Sequence, residues 1–540
     1  MTSLTTNNIS WSDALETRLL ELYRKDDIVD IFWGRRVEEH RAGSKLWNIY
    51  VITRGLFHSC PKTETLADGQ VIHFIAEEDE FSKFDDDSQL NLPRISRDLQ
   101  EKFDEALDNE LGTSFRELHY NLVGISTGYK RISGKLTNIS AIVLYVNQKG
   151  ILRRGCGGIF PDKIRGIPVD VVETCLGKPC MGFGWKDCQR YQDVINLGSS
   201  VGIGLTEKEK TVGTLGVVVR EKKSPKRVGI VSCEHVFKFG EYSIKKGIVS
   251  QPSSEDLLDT LYRDLKIYSK NKDKNKDQIE ELERKIECVK KRDPSLSIYN
   301  IGVYETGVRK NIFLEQYNKI FGIDAAFCVF NNKNRKLYSK EFPFPIFSND
   351  IKQVEFSDEI SLNGFYTYDE LNSFDDSNRV FKVGRTTGLT FGKLLPGYFS
   401  IAVQLRTQRI EYAKKTGKII PPYNEESQGI FIGYMKSHLD SEILRRRREC
   451  YPIIWFDRQL AFRFKSSEFG SGDSGASIID ENGKALGILH SKFENNLFSF
   501  CIASPYFAVF DALNVEIFLS PNPIESTIIS TKADSSENLE

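Results

Sequence analysis

The sequence predicts a mainly β protein with an N-terminal α/β region and an inserted helical hairpin. Three observations carry this. Between 197 and 251, short apolar runs such as Thr214-Leu215-Gly216-Val217-Val218-Val219 are punctuated by Gly198, Gly202, Gly204 and Gly213, the pattern of a sandwich or barrel. From Glu255 to Lys291 that pattern stops and apolar residues recur at helical spacing. Ahead of residue 175, strand-like runs alternate with helix-like ones.

Composition bounds the function. At roughly 100–200 residues per domain, 540 residues allow about three to five domains. Lys+Arg minus Asp+Glu is 74 − 75 = −1, so no overall field draws in nucleic acid or an anionic membrane. With 28 % charged and 40 % hydrophobic residues, the chain is not wholly disordered. No apolar run is long enough to span a bilayer. The N-terminus has neither the basic start nor the apolar stretch of a secretory signal, so a cytoplasmic location is expected, with the nucleus as the alternative. The ten cysteines then read as thiols of a reducing compartment. Cys175, Cys180 and Cys188 lack paired zinc-ligand spacing, and no metal or cofactor is expected.

The elements follow in order. In an α/β domain over 1–114, Ala14 to Leu22 reads as an amphipathic helix, 46–57 and Val71 to Ala76 as strands, Asp85-Asp86-Asp87-Ser88 as a loop. Ser96 to Leu111 is a second helix, with Leu99, Phe103 and Leu107 spaced by four. His40, His58 and His73 stand alone and read as structural. A small α/β segment over 115–195 holds strands at 123–130, 141–146 and 166–173. The main domain spans 196–518. Within it Leu257, Leu258, Leu261, Leu265 and Tyr268 form one helical stripe, and Ile279, Leu282, Ile286 and Val289 another. The polar run 270–277 between them is the turn of the hairpin. Residues 401–450 read as an insertion, and Arg445-Arg446-Arg447-Arg448 within them as a solvated helix face. A disordered tail is expected over 519–540. No partner for the N-terminal region is indicated.

The sharpest local signal is Gly470-Ser471-Gly472-Asp473-Ser474-Gly475-Ala476. A serine nucleophile needs its Oγ on a tight turn beside paired backbone N–H groups. Gly472 leaves its N–H uncovered, and with that of Ser474 it could receive an oxyanion. A second element, Gly229-Ile230-Val231-Ser232-Cys233-Glu234-His235, sets a histidine just past an apolar strand. Neutral imidazole can take the serine proton during attack. The third is Gly322-Ile323-Asp324-Ala325-Ala326-Phe327, where a carboxylate opens an apolar strand and so needs a specific partner. The expected partner is His235 Nδ1–H. The order His235, Asp324, Ser474 excludes the order of subtilisins and that of α/β-hydrolases. Only 540 − 474 = 66 residues follow the serine, too few for the rest of an α/β-hydrolase sheet.

With these motifs the chain resembles the trypsin/chymotrypsin-like serine proteases, and most of all the intracellular group that includes the plant narrow-leaf proteins. Gly472-Asp473-Ser474-Gly475-Ala476, Ser232-Cys233-Glu234-His235-Val236, Ile323-Asp324-Ala325-Ala326 and Lys382-Val383-Gly384-Arg385-Thr386-Thr387-Gly388 carry the resemblance, which covers about 195–510. It implies two six-stranded β-barrels, a serine endopeptidase acting on protein or peptide substrates, His235 as general base, Asp324 as its orienter, Ser474 as nucleophile, and Gly472 and Ser474 as the oxyanion hole. The alternative is an inactive protease-like scaffold for protein–protein interaction. Glu468 could lie at the base of a substrate pocket or be exposed; His490 could face that pocket or Asp324. In the digestive enzymes the aspartate before the nucleophile accepts a new N-terminus. Asp473 is expected to have another partner.

Overall fold

A computed structural model describes residues 13–526 except 24, 26–27, 45, 54–61, 68, 70, 77–94, 120, 134, 155–156, 175–185, 207–208, 211, 238–246, 272–274, 292–293, 345–358, 375–378, 405–452, 465–469, 471 and 495–498. The chain forms two compact units, 1–178 with 396–457 and 493–499, and 179–395 with 458–492 and 500–540.

The first unit contains two sheets. One runs Thr63–Thr65, Val71–Ala76, Asn48–Thr53, Ile28–Arg36, Ile151–Arg153, and the helix Asp13–Tyr23 buries Leu15, Leu19 and Leu22 among its apolar residues. The other includes Phe399–Gln404, Leu122–Ile132, Lys135–Val146 and Ile167–Glu173. The helix Arg97–Asp108, capped by Ser96, packs Leu99, Phe103, Ala106 and Leu107 into the same core as Ile125, Ile142 and Leu144. A boundary at 114 therefore differs from the structure: the apolar face of that helix is buried on strands beyond the expected boundary. Residues 151–153 likewise complete the sheet that begins at 28.

The second unit contains two closed rings of strands. In the first, β1 is Ser200–Thr206, β2 is formed by Gly213–Thr214 and Val217–Glu221, β3 is Val228–Ser232, β4 Ile248–Ser250, β5 Asn300–Leu314 and β6 Lys319–Phe330. Antiparallel pairing runs β1–β4–β5–β6–β3–β2, and Thr214 of β2 returns to Ser200 of β1. Closure leaves no unpaired sheet edge around this ring. The second ring uses β7 Arg379–Gly384, β8 Gly388–Leu394, β9 Ile453–Phe464, β10 Ser477–Asp480, β11 Lys484–Glu494 and β12 Ser499–Pro505. It closes in the order β7–β8–β9–β12–β11–β10, with Phe381 of β7 opposite Ile479 of β10. The architecture is thus mainly β, with two six-stranded barrels.

Between β4 and β5 lie α1, Ser254–Tyr268, and α2, Lys276–Lys291. Leu257, Leu258, Leu261 and Ile286 form their shared core, with Leu265, Leu282 and Val289 packed against it. The expected stripes meet there, apart from Tyr268, which is exposed, and Ile279, which is half-buried outside that core. The expected tail starts too early. Ile524–Glu525 pairs with Lys336–Leu337, and Ser520 N–H donates to Ser339 Oγ, so local backbone pairing orders residues that composition alone reads as tail. Most of 401–450 and the Arg445–Arg448 run lie outside the described residues.

Candidate active site

The expected base, His235, and its expected orienter, Asp324, come from adjoining segments of the first barrel. β3 ends at Ser232, and a short helix, Glu234–Phe237, carries His235. Asp324 lies within β6 rather than at its start, because that strand begins at Lys319 and pairs along the whole of β5. Val231 and Phe327 are partners across β3 and β6, which brings the ends of both segments together. His235 Nδ1 is 2.8 Å from Asp324 Oδ2, and the His235 backbone N–H donates to Oδ1 at 3.1 Å. An ionised carboxylate only accepts, so Nδ1 carries the hydrogen, which in a neutral ring assigns the lone pair to Nε2. Arg309, the cross-strand partner of Asp324, brings Nε to 3.1 Å of Oδ2, close enough to pair electrostatically though not aligned as a hydrogen bond. Burial alone would raise the Asp324 carboxyl. His235 and Arg309 outweigh this and hold it well below the usual carboxylate range.

The nucleophile loop belongs to the second barrel, just ahead of β10. Gly472 and Gly475 have φ of +94° and +97°, a region where a side chain would be strained. A Cβ on Gly475 would lie 2.2 Å from Ser232 Oγ, and one on Gly213 would meet both Val236 Cγ2 at 2.5 Å and Ser474 O at 2.9 Å. Ser474 is thereby packed against the segment that carries His235. Thr214 N–H donates to Ser474 O at 2.8 Å, and the Cys233 thiol donates to Leu489 O at 3.1 Å. The Ser474 hydroxyl donates to His490 O at 3.4 Å. Among the described residues no hydrogen bond joins it to His235. Nor does the N–H of Gly472 or Ser474 have a hydrogen-bond partner among the described residues.

Asp473 is fully buried, and its partner is Lys382 of β7, equally buried, with Nζ 3.0 Å from Oδ2. Thr386 N–H and Thr387 N–H donate to Oδ1, while Gly470 N–H and Thr387 Oγ1 donate to Oδ2. An internal ammonium is thus the counter-charge of Asp473. Lys382 stands in an apolar run, Val380-Phe381-Lys382-Val383, and a charge in such a run was a legible sign of a buried partner.

The expected pocket residues fare differently. Glu468 lies outside the described residues. His490 is fully buried, with Nε2 2.7 Å from Gln459 Oε1 and Nδ1 2.9 Å from Ser491 Oγ. Both ring nitrogens are engaged inside the second barrel, so it presents no free donor to a pocket. Burial pushes its pKa down to about 3, and it stays neutral at ordinary pH. Cys233, His235 and Asp324 place one ligand atom each within 4.8 Å, but the thiol is buried and pushed well above its ordinary range, which disfavours the thiolate a metal needs.

No known family model matches the sequence, and no curated protein does. Several solved structures resemble it in fold. Thermobifida fusca protease A is 10 % identical, with a TM-score of 0.28, over 61 % of this chain and 100 % of its own. A Nocardiopsis protease is 12 % identical, with a TM-score of 0.28, over 60 % and 98 %. A glutamic acid specific serine protease, described as using a histidine triad in substrate binding, is 11 % identical with a TM-score of 0.29, over 60 % and 100 %. No helix among the described residues is long and apolar enough to cross a membrane.

Proposed function

We propose that the protein is a serine endopeptidase that hydrolyses protein or peptide substrates through an acyl-enzyme. The observation that supports this is the His235–Asp324 pair, whose neighbours Ser232 and Val236 adjoin the glycine-flanked Ser474 loop, with no partner on the Gly472 or Ser474 N–H among the described residues. Ser474 Oγ attacks the scissile carbonyl carbon and passes its proton to His235 Nε2. Asp324 holds Nδ1–H and stabilises the imidazolium. The carbonyl oxygen becomes an oxyanion that accepts from Gly472 N–H and Ser474 N–H. Collapse breaks the C–N bond, and His235 returns the proton to the leaving amine. Water then cleaves the ester by the same route. The hydroxyl donates to His490 O, so on this reading it must turn to His235 Nε2 when substrate binds.

The same hydroxyl orientation supports a second reading, an inactive scaffold that binds partners. Incubation with a fluorophosphonate probe separates the two. The protease reading expects covalent labelling of Ser474, lost in Ser474→Ala and His235→Ala while thermal unfolding is unchanged. An unlabelled wild type would leave the scaffold. We also propose kinship with the intracellular narrow-leaf-type group, on the motifs at 232–236, 323–326, 382–388 and 472–476, and a reducing compartment, on free thiols at Cys188, Cys233, Cys288 and Cys328.

A further inference from the structure

The helical hairpin reaches the nucleophile loop through one buried ion pair. Ser253 caps α1, accepting from Asp256 N–H, and Asp256 is completely buried in the first turn. Its carboxylate accepts Arg385 Nε at 2.8 Å, and Arg385 Nη2 closes the second arm of the fork. Ser200 Oγ and Ser253 Oγ fill its remaining sites. A forked, buried guanidinium–carboxylate pair has one orientation, unlike a lysine that can pivot.

Arg385 begins the turn between β7 and β8 and lies directly behind the nucleophile loop. A Cβ on Gly472 would sit 2.6 Å from Arg385 Nη1 and 2.8 Å from Thr386 Oγ1. Arg385 N–H donates to Thr214 Oγ1 at 3.0 Å, and that hydroxyl donates to Gly472 O at 2.6 Å. The next two residues of the turn, Thr386 and Thr387, hold Asp473. Thus the turn that Asp256 anchors touches Gly472 by packing, by one bridging hydroxyl, and by the adjacent carboxylate. The peptide plane between Ser471 and Gly472 carries the Gly472 N–H, and a displaced turn would rotate that donor away from the oxyanion.

We propose that Asp256 and Arg385 are positioning residues that hold the Gly472–Ser474 loop in the geometry that receives the oxyanion, so that the inserted hairpin is part of the catalytic apparatus rather than an appendage. The proposal rests on the protease reading. It assigns the pair no contact with substrate and no proton transfer.

The test compares wild type, Asp256→Asn, and the double variant Asp256→Asn/Arg385→Met on a denatured protein and a peptide ester, with thermal unfolding alongside. The single variant leaves a buried guanidinium unmatched and can lose stability; the double variant removes both charges and avoids that penalty. The expected result for the double variant is a folded protein whose kcat falls by about 10- to 100-fold, the order of loss for a misplaced catalytic group, with KM changed by less than twofold. Its fluorophosphonate labelling rate should fall in parallel, and a peptide boronate, which mimics the tetrahedral state, should bind correspondingly more weakly. A merely structural pair would change unfolding and leave kcat, labelling and boronate affinity of the folded double variant at wild-type values; that result overturns the proposal and leaves the protease reading standing. Failure of the wild type itself to label removes the protease reading, and this inference with it.

Discussion

The two barrels each bury an aspartate beside the candidate site, and the two are neutralised in different ways. Asp473, in the second barrel, faces the side-chain ammonium of Lys382 and four further donors from Gly470, Thr386 and Thr387. Every donor stays a donor through any proton transfer. Asp324, in the first barrel, faces an imidazole whose charge can change, with Arg309 at its edge. The difference teaches which carboxylate shapes the site and which can respond during chemistry. A fixed counter-charge locks a turn. A titratable one lets the carboxylate stabilise a cation that exists only part of the time.

The strongest way to break this comparison is to neutralise the responsive carboxylate. Asp324→Asn should fold and yet lose about 10⁴ in turnover, since the amide favours the wrong imidazole tautomer; the figure is that of the chymotrypsin-type triad. His235→Ala and Ser474→Ala should be at least as inactive, and the triple variant no worse than the worst single, because the three act as a unit. Steady-state assays on a denatured protein substrate check this, and turnover within tenfold of wild type for Asp324→Asn would make the two aspartates equivalent.

Lys382→Met should act on stability first. It strands Asp473 in the core, a loss of about 3–5 kcal/mol for a broken buried pair. Adding Asp473→Asn should restore part of the stability but not the loop geometry. Chemical denaturation of the single and double variants reads this; a single variant as stable as wild type would show that Lys382 does not neutralise Asp473.

A pH series sharpens the contrast through a third buried group. The folded pKa of His490 is about 3, below its ordinary value. Between those values the unfolded chain binds a proton that the folded chain does not. Stability is therefore full above about pH 6.5 and falls as the pH drops towards 3, by roughly 2–4 kcal/mol. The depressed Asp324 carboxyl adds a loss of the same sign only below about pH 4. Urea midpoints at about pH 7.5 and pH 4.5 read this loss together with that of His119, whose buried ring is held down to about 4, and His490→Gln should reduce the slope of that interval. An unaltered slope would rule out His490 as its source.

The smallest effect belongs to Arg309. Its side chain is about a quarter exposed, so solvent and salt screen it. Arg309→Gln should change kcat by less than about threefold at physiological salt, with a larger change at low salt. A loss approaching that of Asp324→Asn would mean that Arg309, not His235, is the main partner of the carboxylate.

Much of this was legible in the residues themselves. The stripes at Leu257, Leu261 and Ile286 specified a helical hairpin because one apolar face must be buried, and the two helices bury it on each other. Gly472 and Gly475 flagged a turn that needs positive φ. A charge opening an apolar strand, Asp324, called for a buried partner before that partner was visible. The sequence by itself thus determined which segments are strands, which pair of helices is inserted, and which side chains need a counter-charge. It did not determine who meets whom. Asp256 reads as an ordinary first-turn helix acid, and only the closed barrels bring it to Arg385, 129 residues away. Strand period leaves His490 free to face either side, and the pairing of β9, β11 and β12 turned it onto Gln459. The helix at 97–108 shows an apolar face but not its destination, which is a sheet formed by later residues. Periodicity is a local property of the chain, whereas these buried charge pairs join residues 89, 91 and 129 positions apart, and those meetings only the tertiary structure decided.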